Sequence, residues 1–214
     1  MTTPATPPAR RALHTSYVHA FFSMGMMDVL VILVPLYGVS LGMSGTQIGI
    51  LVGVRALLTL PFSIHAGALM YRFGTKRVMM VFAGITVLTA PLYPLLPWFP
   101  ALVLLQTVCG ACTSLTWLGS QALIAHIGHG EAVYIGRFSF AARMGTSSAP
   151  VVTGFIWDMG GVWVGFLFAM LWATILVATI MVVPDPQMDP ETHEETADAA
   201  PSARRFRMRD LVPR

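Results

Sequence analysis

Charge is what this sequence has least of. Only 11% of its 214 residues are Asp, Glu, Lys or Arg, against about 25% in an ordinary soluble domain. So few charges exclude a water-facing globular surface. With 55% apolar residues and a mean hydropathy of +0.69, the chain reads as an integral membrane protein. Cysteine is nearly absent, and Cys109 and Cys112 are the whole supply. They form a C-x-x-C inside an apolar run with no second Cys/His pair nearby. They therefore read as small packing residues rather than redox or zinc ligands. His126 and His129 stand at i and i+3 without a third ligand, and His19 and His65 read like them as interfacial. No metal or cofactor is expected. H-E-x-x-H is absent, and Ser114, Ser120 and Ser139 have no base and orienting group at useful spacing. An enzyme is not expected.

The net charge is +3, and its placement matters more than its size. Arg204, Arg205, Arg207, Arg209 and Arg214 crowd the C-terminus beside an apolar segment. That position favours an anionic lipid surface over nucleic acid as the partner. No cleaved signal is expected, because the first long apolar stretch contains Asp28.

A membrane span needs about 20 mostly apolar residues. The hydropathy pattern predicts such spans at 17–39, 46–70, 77–96, 101–124, 134–157 and 162–183. The expected fold is an all-α membrane protein, a six-transmembrane-helix bundle over 17–183. A cytoplasmic N-terminal tail over 1–16 precedes it. An acidic linker ending in a basic surface helix, over 184–214, follows. The loops at 38–45, 95–100 and 158–161 carry no Lys or Arg, whereas Arg10, Arg11, Arg72, Lys76 and Arg77 flank the opposite ends of the spans. By the positive-inside rule both termini are expected in the cytoplasm.

Polar residues inside hydrocarbon are costly, so their positions carry information. Gln106, Gly110, Thr113, Ser114, Trp117 and Gln121 fall on one face of the fourth span. They are expected to line a water-filled cavity. The alternative is hydrogen bonding between helices alone. Arg55, Thr59 and Ser63 repeat the pattern on the second span, while the third and sixth spans are nearly apolar all round, as lipid-facing helices are. Asp28 is expected about 16 Å from the cytoplasmic start of its span, and Arg55 at similar depth. An unpaired charge there costs about 2.5–3.5 kcal/mol. The pair reads as a titrating or substrate-contacting acid modulated by a cation, or else as a fixed ion pair. Arg143 is a third candidate, or a side chain that snorkels to the interface.

Three motifs carry a family resemblance. Gly67-Ala-Leu-Met-Tyr71-Arg72-Phe-Gly74-Thr-Lys76-Arg77 resembles motif A of the major facilitator superfamily, G-x-L-x-D-R-x-G-x-[KR]-[KR]. Tyr71 stands where that family has an Asp belonging to a cytoplasmic latch. Gln106-Thr-Val-Cys109-Gly110-Ala-Cys112-Thr-Ser is similar to motif B, with Gln106 in the place of an Arg implicated in proton coupling. Gly145-Thr-Ser-Ser-Ala149-Pro150-Val-Val-Thr153-Gly154 resembles motif C of drug antiporters. Asp28 followed by Pro35-Leu36-Tyr37 resembles the first helix of many members.

The resemblance implies the N-terminal six-helix half of a transporter, in a plasma (inner) membrane, with 184–214 as the start of a central loop. It implies secondary transport of a small-molecule substrate by alternating access, driven by protons. A second six-helix half, covalent or homodimeric, is the implied partner. Asp28, Arg55, Gln106, Trp117 and Arg143 are then the candidate substrate and coupling residues. Gly67, Tyr71, Arg72, Gly74, Lys76 and Arg77 form the gating loop. A six-helix scaffold or assembly subunit, or a self-dimerising half without an independent transport cycle, is the alternative.

Overall fold

The computed structural model describes residues 10–57 and 59–184, with the backbone alone at 59–64. The expected acidic linker and surface helix, residues 1–9, and the Thr59 and Ser63 side chains lie outside what is described. Among the described residues there is no strand. The helices are α1 (Arg10–Ser40), α2 (Gly45–Val54), α3 (Thr59–Phe73), α4 (Thr75–Thr89), α5 (Leu92–Leu95), α6 (Phe99–Ile127) and α7 (Ala132–Val182). In lipid every backbone N–H and C=O must find its partner within the protein, and a helix does so locally. Among the described residues, four segments are long and apolar enough to cross a membrane: Arg10–Ser40, Thr75–Leu95, Phe99–Ile127 and Ala132–Val182.

Helix α1 begins earlier than expected. Residues 10–16 of the expected tail are helical, because Arg10, Arg11, Ala12 and Leu13 are strong helix formers. Ala12, Leu13 and Ser16 are buried while Arg10, Arg11 and His14 are exposed.

The long helix α7 is two arms. At Gly161 the backbone takes φ 64° and ψ −152°, a conformation open almost only to glycine. Ala149 and Trp172, about equally far from Gly161 in the chain, both lie against Gly25 of α1. The chain therefore doubles back. The N-terminal arm (132–160) and the C-terminal arm (162–182) run antiparallel beside α1, with the turn at Gly161, inside the expected 158–161 loop.

The expected second span is interrupted. A capping box starts α2: the Gln47 N–H donates to Ser44 Oγ at 3.3 Å, and the Ser44 N–H donates to Gln47 Oε1 at 2.9 Å. Helix α2 then stops with Arg55 as its C-cap, and α3 resumes at Thr59. Pro61 explains the position of the break, since it has no N–H to offer the carbonyl of Leu57. The next reversal, into α4, passes through Gly74 at φ 85°.

The main core lies between α1, α4, α6 and the C-terminal arm. Met26, Leu30, Leu33, Met79, Tyr93, Leu102, Phe166 and Trp172 form its centre. The expected division into inner and lipid-facing helices is corrected here. Helix α4 buries Met79, Ala83, Thr86 and Thr89 and exposes Val81 and Leu88. The C-terminal arm buries Phe166, Ala169, Ala173 and Leu176 and exposes Leu167 and Leu171. Each has an inner and an outer face, set by the 3.6-residue period. The inner face of α4 uses threonines whose hydroxyls are absorbed locally: Thr86 Oγ1 donates to the Phe82 carbonyl at 3.0 Å.

Candidate functional site

The interruption after α2 brings the charged candidates together. Arg55 Nη1 donates to the Met27 carbonyl at 2.7 Å, and Nη2 reaches Thr113 Oγ1 at 3.4 Å. The guanidinium thus joins α2 to α1 and α6, and it lies within electrostatic reach of Asp28. These two bonds go to a main-chain oxygen and a hydroxyl. Asp28 Oδ2 is buried with no hydrogen-bond partner among the described residues.

Gly110 makes this approach possible. A Cβ at that position would collide with the Arg55 carbonyl oxygen and come within 2.5 Å of Arg55 Cγ. The motif B-like glycine is therefore the seat on which the end of α2 rests. Gly145 plays the same part for the N-terminal arm, where a Cβ would collide with the Phe21 carbonyl oxygen of α1. Of the other motif C-like positions, Ala149 is buried against α1, Pro150 lies inside the helix and Gly154 is half-buried.

The polar stripe of α6 does not serve one purpose along its length. Gln106 is 1% exposed, and its Oε1 accepts a 2.8 Å bond from the Tyr93 hydroxyl. Tyr93 itself stacks on Phe166, with centroids 5.1 Å apart and planes within 7°. This end of the stripe is interhelical bonding rather than cavity lining. Thr113 donates to the Cys109 carbonyl at 2.9 Å as well as meeting Arg55. Further along, Trp117 stacks on Phe138 of the N-terminal arm at 5.5 Å and 20°. Beside that stack lies a cavity of about 310 Å³ lined by Trp117, Gln121, Ile124, Phe138 and Ser139. Gln121 is exposed. The stripe is thus closed at Gln106 and open at Gln121.

Arg143 is exposed on the N-terminal arm, off the face through which Phe138, Ala142 and Gly145 pack. It has no described contact with the Asp28 and Arg55 pair. In the motif A-like turn, Gly67, Arg72 and Arg77 are exposed and Tyr71 is 72% exposed. The Arg72 guanidinium lies 5.6 Å from the centroid of the adjacent Phe73 ring. Lys76 is the anchored member. Its Nζ donates to the carbonyls of Met181 at 3.0 Å and Val183 at 2.7 Å, at the end of the C-terminal arm. A cation there satisfies orphan carbonyls and opposes the helix dipole.

Two residues were underrated by pattern alone. His19, expected at the interface, is 1% exposed. Its ring nitrogens lie 2.9 Å from Thr179 Oγ1 and 2.7 Å from Ser120 Oγ, so it links α1, α6 and the C-terminal arm. The available signal was a polar line of Ser16, His19 and Ser23 on one face of α1, all buried. Tyr93 is the other, fully buried near the end of the expected third span, where the pattern singled out no polar role. Cys109 and Cys112 are buried and free. Among the described residues no three His, Cys, Asp or Glu side chains gather as a metal site would require.

Chemically, the arrangement presents a buried carboxyl oxygen with no hydrogen-bond partner among the described residues, close to a guanidinium that bonds a main-chain oxygen and a hydroxyl. Comparison with known proteins agrees with this architecture. A search of curated proteins finds no match, but the model of the Major Facilitator Superfamily matches residues 5–212, nearly the whole chain. The chain is a multi-pass membrane protein that belongs to the Major Facilitator Superfamily, a family of transporters.

Proposed function

We propose that this chain forms the N-terminal half of a secondary transporter that moves a small solute by alternating access, with Asp28 as the proton-coupling group. The reading is carried by Asp28 Oδ2, which is buried with no hydrogen-bond partner among the described residues in the neighbourhood of the Arg55 guanidinium. A buried carboxyl so placed is costly unless it exchanges protons or meets a ligand. Six crossings follow if α2 and α3 together make one and the arms of α7 make two. The arginines at the start of α1 and in the α3–α4 turn favour cytoplasmic termini in an inner membrane. A second six-helix bundle would complete the cavity at a midplane site. Arg55 positions the site through its bonds to α1 and α6, and Trp117 and Gln121 border its approach.

The test is Asp28→Asn, with the substituted protein reconstituted alongside its second half in proteoliposomes. Gradient-driven uptake should be lost while folding and substrate exchange at equal pH survive. Unchanged pH-dependent uptake would remove Asp28 from the mechanism. Absence of any solute flux from the unsubstituted protein would favour a scaffold.

A further inference from the structure

The polar centre around His19 is not used by the transport reading. Its ring nitrogens meet hydroxyls on two different elements, Thr179 on the C-terminal arm of α7 and Ser120 on α6. Each hydroxyl also bonds within its own helix. Ser120 Oγ lies 2.7 Å from the Thr116 carbonyl oxygen, and Thr179 Oγ1 lies 2.6 Å from the Leu176 carbonyl oxygen. Carbonyls only accept, so each hydroxyl uses its single hydrogen there and turns a lone pair toward the ring. A neutral imidazole carries a single N–H, whereas an imidazolium carries one on each nitrogen. The neutral ring leaves one contact with no hydrogen, or makes one hydroxyl abandon its carbonyl. The protonated ring satisfies every contact in the chain.

We propose that His19 is a proton-binding site, and that its proton fastens α1 to both α6 and the C-terminal arm of α7. The site is separate from Asp28 and does not rest on the transport reading. No Asp or Glu occurs in α6 or in the C-terminal arm, and Asp28 is the only one in α1. Asp28 lies about 13 Å from His19 along the helix axis. The other titratable or charged groups on the surrounding elements include His14 and Tyr17 of α1, Cys112 and His126 of α6, Arg137, Arg143 and Asp158 of the N-terminal arm, and Lys76, seated on the end of the C-terminal arm. None has a described bond to the imidazole. Burial opposes the cation, and the hydroxyl acceptors favour it. With no carboxylate to fix the charge, the proton is exchangeable and its release loosens the three-way junction.

The test is thermal unfolding of the full chain in lipid nanodiscs, as wild type and His19→Gln, from about pH 5 to pH 8, where an ordinary imidazole changes charge. A bound proton stabilises the folded state at the acid end, and this contribution is lost as pH rises. The gap in Tm between wild type and variant should therefore be widest at low pH and narrow toward high pH. A gap that stays constant, or widens as pH rises, overturns the proposal. Should His19→Gln fail to fold, Thr179→Val keeps the ring and removes one acceptor, and the same narrowing is expected. Nitrogen-15 histidine spectra of the wild type give an independent reading. A slowly exchanging ring protonated at both nitrogens at low pH supports the site, and a buried ring singly protonated throughout overturns it.

Discussion

Gly110→Ala puts the seating of α2 on α6 to a direct test. The added methyl would collide with the Arg55 carbonyl oxygen and stand 2.5 Å from Arg55 Cγ and 2.9 Å from the carbonyl carbon. Ordinary carbon contacts lie at about 3.5–4.0 Å. The end of α2 must then move away from α6 by about 1 Å. Backbone atoms carry most of the clash, so a change of rotamer does not relieve it. Overpacking of this kind costs about 1–3 kcal/mol. The shift also stretches the 2.7 Å bond from Arg55 to the Met27 carbonyl, a charge-assisted bond worth about 1.5–3 kcal/mol when intact. A net loss of about 2 kcal/mol corresponds to about 4–8 °C in Tm for a chain of this size. The measurement is thermal unfolding in detergent, with Gly49→Ala on α2 as the control, because a Cβ there meets nothing within 4 Å. The control should be neutral or gain about 0.5–1 kcal/mol from helix propensity. Removing the Arg55 side chain should rescue Gly110→Ala only in part, since the carbonyl contact persists. If Gly110→Ala melts with the control, the seating argument fails.

Three further substitutions follow from the geometry. Gly161→Ala should destabilise by about 1–3 kcal/mol, because its φ and ψ exclude an L side chain even though space is open there; an unchanged Tm would show that the turn relaxes freely. Lys76→Met should speed hydrogen exchange at the last turn of α7 by exposing the Met181 and Val183 carbonyls, with Lys76→Arg intermediate; equal protection in all three proteins would make the contact incidental. Tyr93→Phe keeps the stack on Phe166 but removes the donor to Gln106 Oε1, and unfolding should show a loss of about 1–3 kcal/mol; no loss would mean that Gln106 finds another donor.

Much of the architecture was legible from hydropathy because lipid imposes long apolar helices. The turns at Gly74 and Gly160-Gly161 were legible because few other residues tolerate such backbone. The break at Arg55 was not. It depends on Pro61 withholding an N–H within a stretch apolar enough to read as continuous. The residues of the stripe on α6 share a face as their spacing requires, but their surroundings differ along its length. Periodicity reports which residues share a face and says nothing of the neighbour each one meets, Tyr93 for Gln106 or Phe138 for Trp117. The same limit hid His19, whose meaning depends on Thr179, a residue 160 positions away. Asp28 and Arg55 were singled out by charge and depth alone, and the packing brings them into one neighbourhood.

Helix α1 offers its partners main-chain oxygens at several of these junctions. Arg55 takes the carbonyl of Met27, the indole N–H of Trp172 takes that of Phe22 at 2.9 Å, and Gly145 rides over that of Phe21. A carbonyl is the same whatever side chain its residue carries. The polar half of each junction therefore does not depend on which side chain stands at 21, 22 or 27, while the Phe21 and Phe22 rings secure the same Trp172 from its apolar side.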